Sequence, residues 1–189
     1  MLSIFEAHVN AELDGDLDTT MATMSDNPHL HNVPSLVGGY GKEAVRRFYQ
    51  NHLVGKFFPP DVIMKQVSLT IGEDQLVEEL IISFTHTTVI DWMLPHVKPT
   101  NKSVEVAFVV IVGFKDEKVA YEHIYWDQAC VLVQIGLLNP TGLPVTGHEG
   151  ARIILDPLRI PMISPTYSDF ISPTIPGLFR PGDARLSAA

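Results

Sequence analysis

Apolar residues recur at three- and four-residue spacing near the start of the chain, at Phe5, Val9, Leu13, Leu17, Met21 and Met24. This period predicts one or two amphipathic helices over residues 4–24, with Gly15 and Asp16 as the break between them. The next stretch, SDNPHLHNVPSLVGGYG, is rich in Pro, Gly, Asn and Ser and reads as turn and loop, with a short extended piece at Leu30 to Val33. A helix is expected from Lys42 to Leu53, with Ala44, Val45, Phe48 and Tyr49 on one face.

Beyond Pro59 and Pro60 the period changes to two and β-branched residues dominate. The segments VIMKQVSLTIG, QLVEELIISFTHTTVIDWML, SVEVAFVVIVGFKD and EKVAYEHIYWDQ predict four long strands in succession, hence an antiparallel sheet. From Val104 to Phe114 both parities are apolar, so both faces of that strand should be covered, one by helices and one by a second subunit. QACVLVQIGLL reads as a short apolar helix that Asn139 and Pro140 end. From Pro140 onward there are eight prolines and little periodicity. Ile153, Ile154, Leu155, Leu158, Ile160 and Met162 make this tail too apolar for a free end, and it is expected to pack on the domain or on a partner subunit.

Composition narrows the function classes. The 189 residues are of one-domain size, and 46% hydrophobic against 19% charged residues leaves an apolar surplus that a cavity or a subunit interface would absorb. A formal charge of -9 has the wrong sign for binding nucleic acid and would be repelled by anionic lipid. No run approaches the length of a membrane span, and the N-terminus lacks the pattern of a secretory signal, so a cytoplasmic protein is expected. The single cysteine, Cys130, excludes an internal disulfide and reads as a small core hydrophobe.

Two stretches carry a resemblance. HNVPSLVGGYGKEAVRRFY, residues 31–49, is similar to the loop and helix after the first helices of SnoaL-like proteins of the NTF2-like superfamily. THTTVIDWMLPHVKPTNKSVEV through YEHIYWDQACVLVQIGLL resembles their strand, hairpin and final strand ending in a WD step before an apolar helix. With the N-terminal helices, the resemblance covers residues 1–140 and leaves 141–189 as a proline-rich extension. It implies an α+β fold, a cone-shaped barrel whose curved antiparallel sheet is wrapped by N-terminal helices around a small-molecule pocket. It also implies cofactor-free chemistry of the cyclase, isomerase, dehydratase or hydrolase type on a small hydrophobic oxygenated molecule; no metal is expected, and the doubly apolar strand from Val104 to Phe114 makes a homodimer the expected assembly.

By that resemblance the acid/base residue is Asp127. Strand alternation would put Tyr121, His123 and Tyr125 on the same face, with Glu122, Ile124 and Trp126 pointing away. Asp is also a preferred N-cap, so Asp127 reads equally as the cap of the helix that follows. Compared with the limonene-epoxide-hydrolase type, Asn32 matches the loop Asn and Asp91 the middle Asp. Val89 stands where the bridging Arg would be and Leu30 where the loop Tyr would be. Without the Arg, two carboxylates in one cavity would repel, which favours proton-shuttle chemistry with His31 or His123 as compensator. Tyr40, Phe48, Trp92 and Val89 complete the expected substrate wall.

Other constellations are weaker. His29 and His31 form an H-x-H pair that lacks a third ligand at a recognisable spacing, and GGYG at residues 38–41 lacks the lysine and spacing of a phosphate loop. His86 falls on the face opposite Asp91 by strict alternation, where an interface would hold it. The competing class is a non-catalytic binding or dimerisation domain, and the two differ in whether the cavity holds convergent polar groups.

Overall fold

The computed structural model describes residues 1–53 and 57–156. Helix α1 spans Leu2–Asp14 and α2 Leu17–Thr23. Gly15 ends α1 at φ 71°, a left-handed cap that glycine adopts without strain, and the Asp16 side chain accepts from Thr19 N at 3.0 Å to start α2. Strands β1 (Met24–Asn32) and β2 (Val37–Tyr40) lead to α3 (Lys42–Phe48), which continues as a π turn over Tyr49–Leu53. Strands β3 (Ile63–Ile71), β4 (Gln75–Thr85), β5 (Ser103–Lys115) and β6 (Lys118–Trp126) follow, then α4 (Gln128–Gln134) and α5 (Glu149–Leu155).

The six strands form one sheet in the order β2-β1-β6-β5-β4-β3. Two features depart from the sequence reading. Residues 25–40, expected as loop with only a short extended piece at Leu30 to Val33, belong largely to two strands, and β1 pairs with β6 in parallel, so the sheet is mixed. Pro28 lies where the β1 register shifts, between Met24 and His29, which is how a strand accommodates a residue lacking an N–H. Gly38 is required by close approach, since a Cβ there would lie 1.9 Å from the Leu30 carbonyl oxygen. A Cβ at Gly39 would lie 2.7 Å from the Ala44 carbonyl carbon, so backbone packing accounts for both glycines.

The inner face of the sheet carries Val104, Val106, Phe108 and Val112 of β5 against Leu76, Leu80, Ile82 and Phe84 of β4, all buried. α1, α2 and α3 close over this face. β4 ends at Thr85, and residues 86–102 form a loop that buries His86, Ile90, Trp92, Met93 and Leu94. On the outer face α4 and α5 pack on β5, with Gln134 exchanging hydrogen bonds with the Glu105 backbone and Arg152 Nε 3.0 Å from Glu105 Oε2. α4 is shorter than the apolar run predicts, because Gly136 at φ 78° turns the chain. Leu158, Ile160 and Met162 lie outside the described residues. Among the described residues no helix is long and apolar enough to cross a membrane.

Candidate active site

A cavity of about 100 Å³ lies between the inner sheet face and the helices. Leu30, Phe108, Trp92, Val110 and Ile124 supply apolar wall, and Glu12, Asn32 and Glu122 supply polar groups. Trp92 is held by its Nε1 donating to the Phe57 carbonyl at 3.0 Å and by an edge contact with Trp126, ring centroids 5.6 Å apart.

The two glutamates converge on one imidazole. His8 and Glu12 stand one helical turn apart on α1, the i,i+4 spacing that places side chains on one face. His8 Nε2 is 3.1 Å from Glu12 Oε1 and 3.0 Å from Glu122 Oε1. Behind them Tyr49 O–H donates to Glu122 Oε2 at 3.2 Å and its oxygen lies 3.1 Å from His8 Nε2. The π turn begins at Tyr49 and leaves this ring 1% exposed, whereas His52 of the same turn faces outward to Asp91. π turns recur at functional sites because they re-aim side chains within a helix.

The tautomer follows from the hydrogen bonds. Thr23 Oγ1 donates its one proton to the Thr20 carbonyl at 2.6 Å, so it must accept from His8 Nδ1, also at 2.6 Å. His8 Nδ1 therefore carries hydrogen, and protonation of Nε2 gives an imidazolium between two carboxylates. Burial by itself would lower the His8 pKa, but Glu12 and Glu122 together overcome it and raise it to about 11. Burial, with Glu122 nearby, raises the Glu12 carboxyl above its ordinary range against the pull of His8. Burial and the same two carboxylates push Tyr49 well above 10. The cluster thus sets two carboxylates in an apolar cavity, with a cation fixed behind them and one acid shifted toward neutrality.

Asn32 is fully buried and lines the cavity. Its Nδ2 donates to the Val37 carbonyl at 3.1 Å, and its Oδ1 has no hydrogen-bond partner among the described residues. A buried acceptor left so costs about 1–3 kcal/mol, which marks Oδ1 as a group free to meet a ligand. Phe48 and Trp92 also line the cavity.

The remaining expected residues lie elsewhere, and the parity of β6 is the reason. Its cavity face carries Glu122, Ile124 and Trp126, so Tyr121, His123 and Tyr125 point to the outer face. Counting back from Asp127 reversed the set because β6 ends at Trp126 and Asp127 is no longer strand. Asp127 is exposed and caps α4, its carboxylate accepting from Cys130 N at 3.0 Å. Asp91 is half exposed and paired with His52 at 2.8 Å. Val89 and Tyr40 are exposed, and His31 is exposed on the outer face beside His29 and His123. His86 is buried in the 86–102 loop, its Nδ1 3.2 Å from Thr100 Oγ1. Burial first raises the Cys130 thiol pKa to about 11, and its Sγ donates to the Gly147 carbonyl at 2.8 Å.

Sequence reasoning missed His8, Glu12, Tyr49 and Glu122. The available signal was polar residues inside apolar patterns: Glu122 shares parity with Ile124 and Trp126, and His8 and Glu12 flank Val9 on a helix whose stripe must be buried.

Neither the family models nor the curated proteins give a match to this chain. Solved structures do resemble it. IdmH from Streptomyces antibioticus, a candidate polyketide cyclase, is 18% identical with a TM-score of 0.52, and the match covers 71% of this chain and 96% of that one. AclR from Streptomyces galilaeus, a candidate hydroxylase, is 20% identical with a TM-score of 0.52 over 72% of this chain and 85% of its own. An NTF2-like protein from Burkholderia xenovorans is 14% identical with a TM-score of 0.52 over 71% and 94%. The chain has the NTF2-like α+β cone fold expected from the SnoaL-like resemblance.

Proposed function

We propose that this NTF2-like cone is a cofactor-free acid/base catalyst of the cyclase, isomerase or dehydratase kind, acting on a small apolar molecule that carries a carbonyl or hydroxyl group. The observation that carries this reading is the convergence of Glu12 and Glu122 on His8 Nε2, within 3.1 Å, at the wall of an apolar cavity. One carboxylate takes a proton from carbon beside the carbonyl, and the raised Glu12 returns a proton to the rearranged product. Asn32 Oδ1 accepts from a hydroxyl of the substrate or of its enol at the cavity wall.

The test is hydrogen–deuterium exchange at the carbon beside the carbonyl in a panel of small apolar ketones, followed by NMR. Glu12→Gln and Glu122→Gln should each slow exchange by about a hundredfold to ten-thousandfold while ligand affinity persists. Exchange that survives in both variants overturns the reading. A second reading, a non-catalytic binding domain, draws support from the internal pairing of the cluster, in which both His8 nitrogens already have protein partners. It predicts binding by the same panel with no exchange in the wild type.

A further inference from the structure

We propose that His29, His31 and His123 form a three-imidazole site for a divalent transition-metal ion on the outer face of the sheet. The fold assembles what the sequence left as an incomplete pair. His29 and His31 alternate along β1 and so share a face, and the parallel pairing of β1 with β6 sets His31 opposite His123. The nitrogen available from each ring lies within 4.8 Å of the other two, and His29 Nε2 is 3.1 Å from His123 Nε2. Imidazole nitrogens bound to zinc at about 2.0–2.1 Å stand about 3.3 Å apart in a tetrahedron. The closest pair is therefore already at chelating separation, and small rotations of the exposed His31 ring bring in the third.

The rings are also held in place. His29 is flanked by Tyr121, with centroids 5.2 Å apart at 11°, and by Tyr40, at 6.0 Å and 19°. Tyr121 stacks on His123 as well, at 4.8 Å. Both phenols are engaged away from the imidazoles, Tyr121 donating to Gln75 Oε1 at 3.1 Å and Tyr40 accepting from Asn27 Nδ2 at 3.2 Å. Gly113 makes the room, since a Cβ at that position would sit 2.0 Å from the Tyr121 ring. Preorganisation of this kind reduces the ordering cost of binding.

The ligand set selects the ion. Three imidazoles suit zinc, copper, nickel and cobalt, and oxygen-seeking magnesium or calcium would find no carboxylate in the set. Among the described residues the histidines paired with carboxylates are His8, His52 and His148, so these three rings are not committed to ion pairs. In the metal-free protein one Nε2–H of the 3.1 Å pair donates to the other nitrogen. Metal binding moves that hydrogen to Nδ1 of the same ring, so no net proton is released from neutral imidazoles. Three protein ligands leave a fourth position open to water or an incoming oxygen ligand.

The test is calorimetric titration of the full chain with zinc chloride, paired with the visible spectrum of the cobalt-loaded protein. One ion per chain should bind with micromolar or tighter affinity, and cobalt should show tetrahedral absorption. His123→Ala and His31→Ala should each weaken binding by at least about a hundredfold, since loss even of outer-shell partners costs tenfold to a hundredfold. His31 is exposed, so its replacement tests the site without threatening the fold, and circular dichroism checks both variants. His96→Ala, an exposed histidine of the 86–102 loop, should bind as wild type. Absence of saturable binding, retention of affinity in the folded His31→Ala and His123→Ala variants, or loss of the ion in Glu122→Gln would overturn the proposal. The last outcome would put the ion in the inner cluster instead.

Discussion

Replacing His8 with alanine removes the cation that separates Glu12 from Glu122, and the consequence can be worked from the geometry. Each contact of about 3 Å is worth about 5 kcal/mol at an effective dielectric of about 20, against a desolvation cost of several kcal/mol for each ion. The network is therefore close to balance as built, but removing one partner strands the others. Breaking a buried pair costs about 3–5 kcal/mol, which for a chain of this size lowers the melting temperature by about 10 °C. The pH dependence distinguishes this from simple cavity formation. His8 has its pKa raised from 6.5 to about 11, so its stabilising contribution is fully present below about 6.5 and is lost as pH rises through about 11. Glu12, raised above 4.5, acts in the same sense at lower pH and withdraws stability as pH climbs past its unfolded value. In His8→Ala the carboxylates lose their counter-charge, so the variant should regain stability on acidification, as the already raised Glu12 takes up a proton. Urea unfolding of wild type, His8→Ala and His8→Ala/Glu12→Gln across pH measures this, and the double variant should recover about half of the loss or more. A loss under about 1 kcal/mol at neutral pH, unchanged on acidification, would refute the imidazolium and leave His8 as a neutral core residue.

Asp127→Ala removes the α4 cap and should cost about 1 kcal/mol in unfolding free energy, with turnover of any identified substrate unchanged. A large loss of turnover in a folded Asp127→Ala would restore it to the chemistry. Gly38→Ala forces a Cβ onto the Leu30 carbonyl and should destabilise by about 3 kcal/mol or more, read by thermal unfolding. A homodimer is expected because Val109 and Ile111 remain half-buried on the outer face of β5, and sedimentation as a 20.9 kDa monomer at micromolar concentration would count against it.

Periodicity alone determined much of the scaffold. The apolar stripe of residues 4–24, the Gly15–Asp16 break, the helix beginning at Lys42 and the four long strands after Pro60 are local features, legible because burial demands a period of 3.6 or 2 wherever an element meets a core. Strands β1 and β2 escaped because their partners are distant: His29 to Asn32 are extended through pairing with Tyr121 to Ile124, and Pro28 and the glycines that permit the pairing read locally as turn. The site depended still more on tertiary structure. Asn32 was accessible from the loop it precedes, but the choice between Asp127 and Glu122 rested on where β6 stops, and one residue of difference reverses every side chain on the strand. The charge on His8 is set by two glutamates, four and 114 positions away, whose burial and convergence no spacing rule encodes. The histidines followed the same logic, since His29 and His31 became a candidate three-ligand set only when a parallel strand brought His123 alongside.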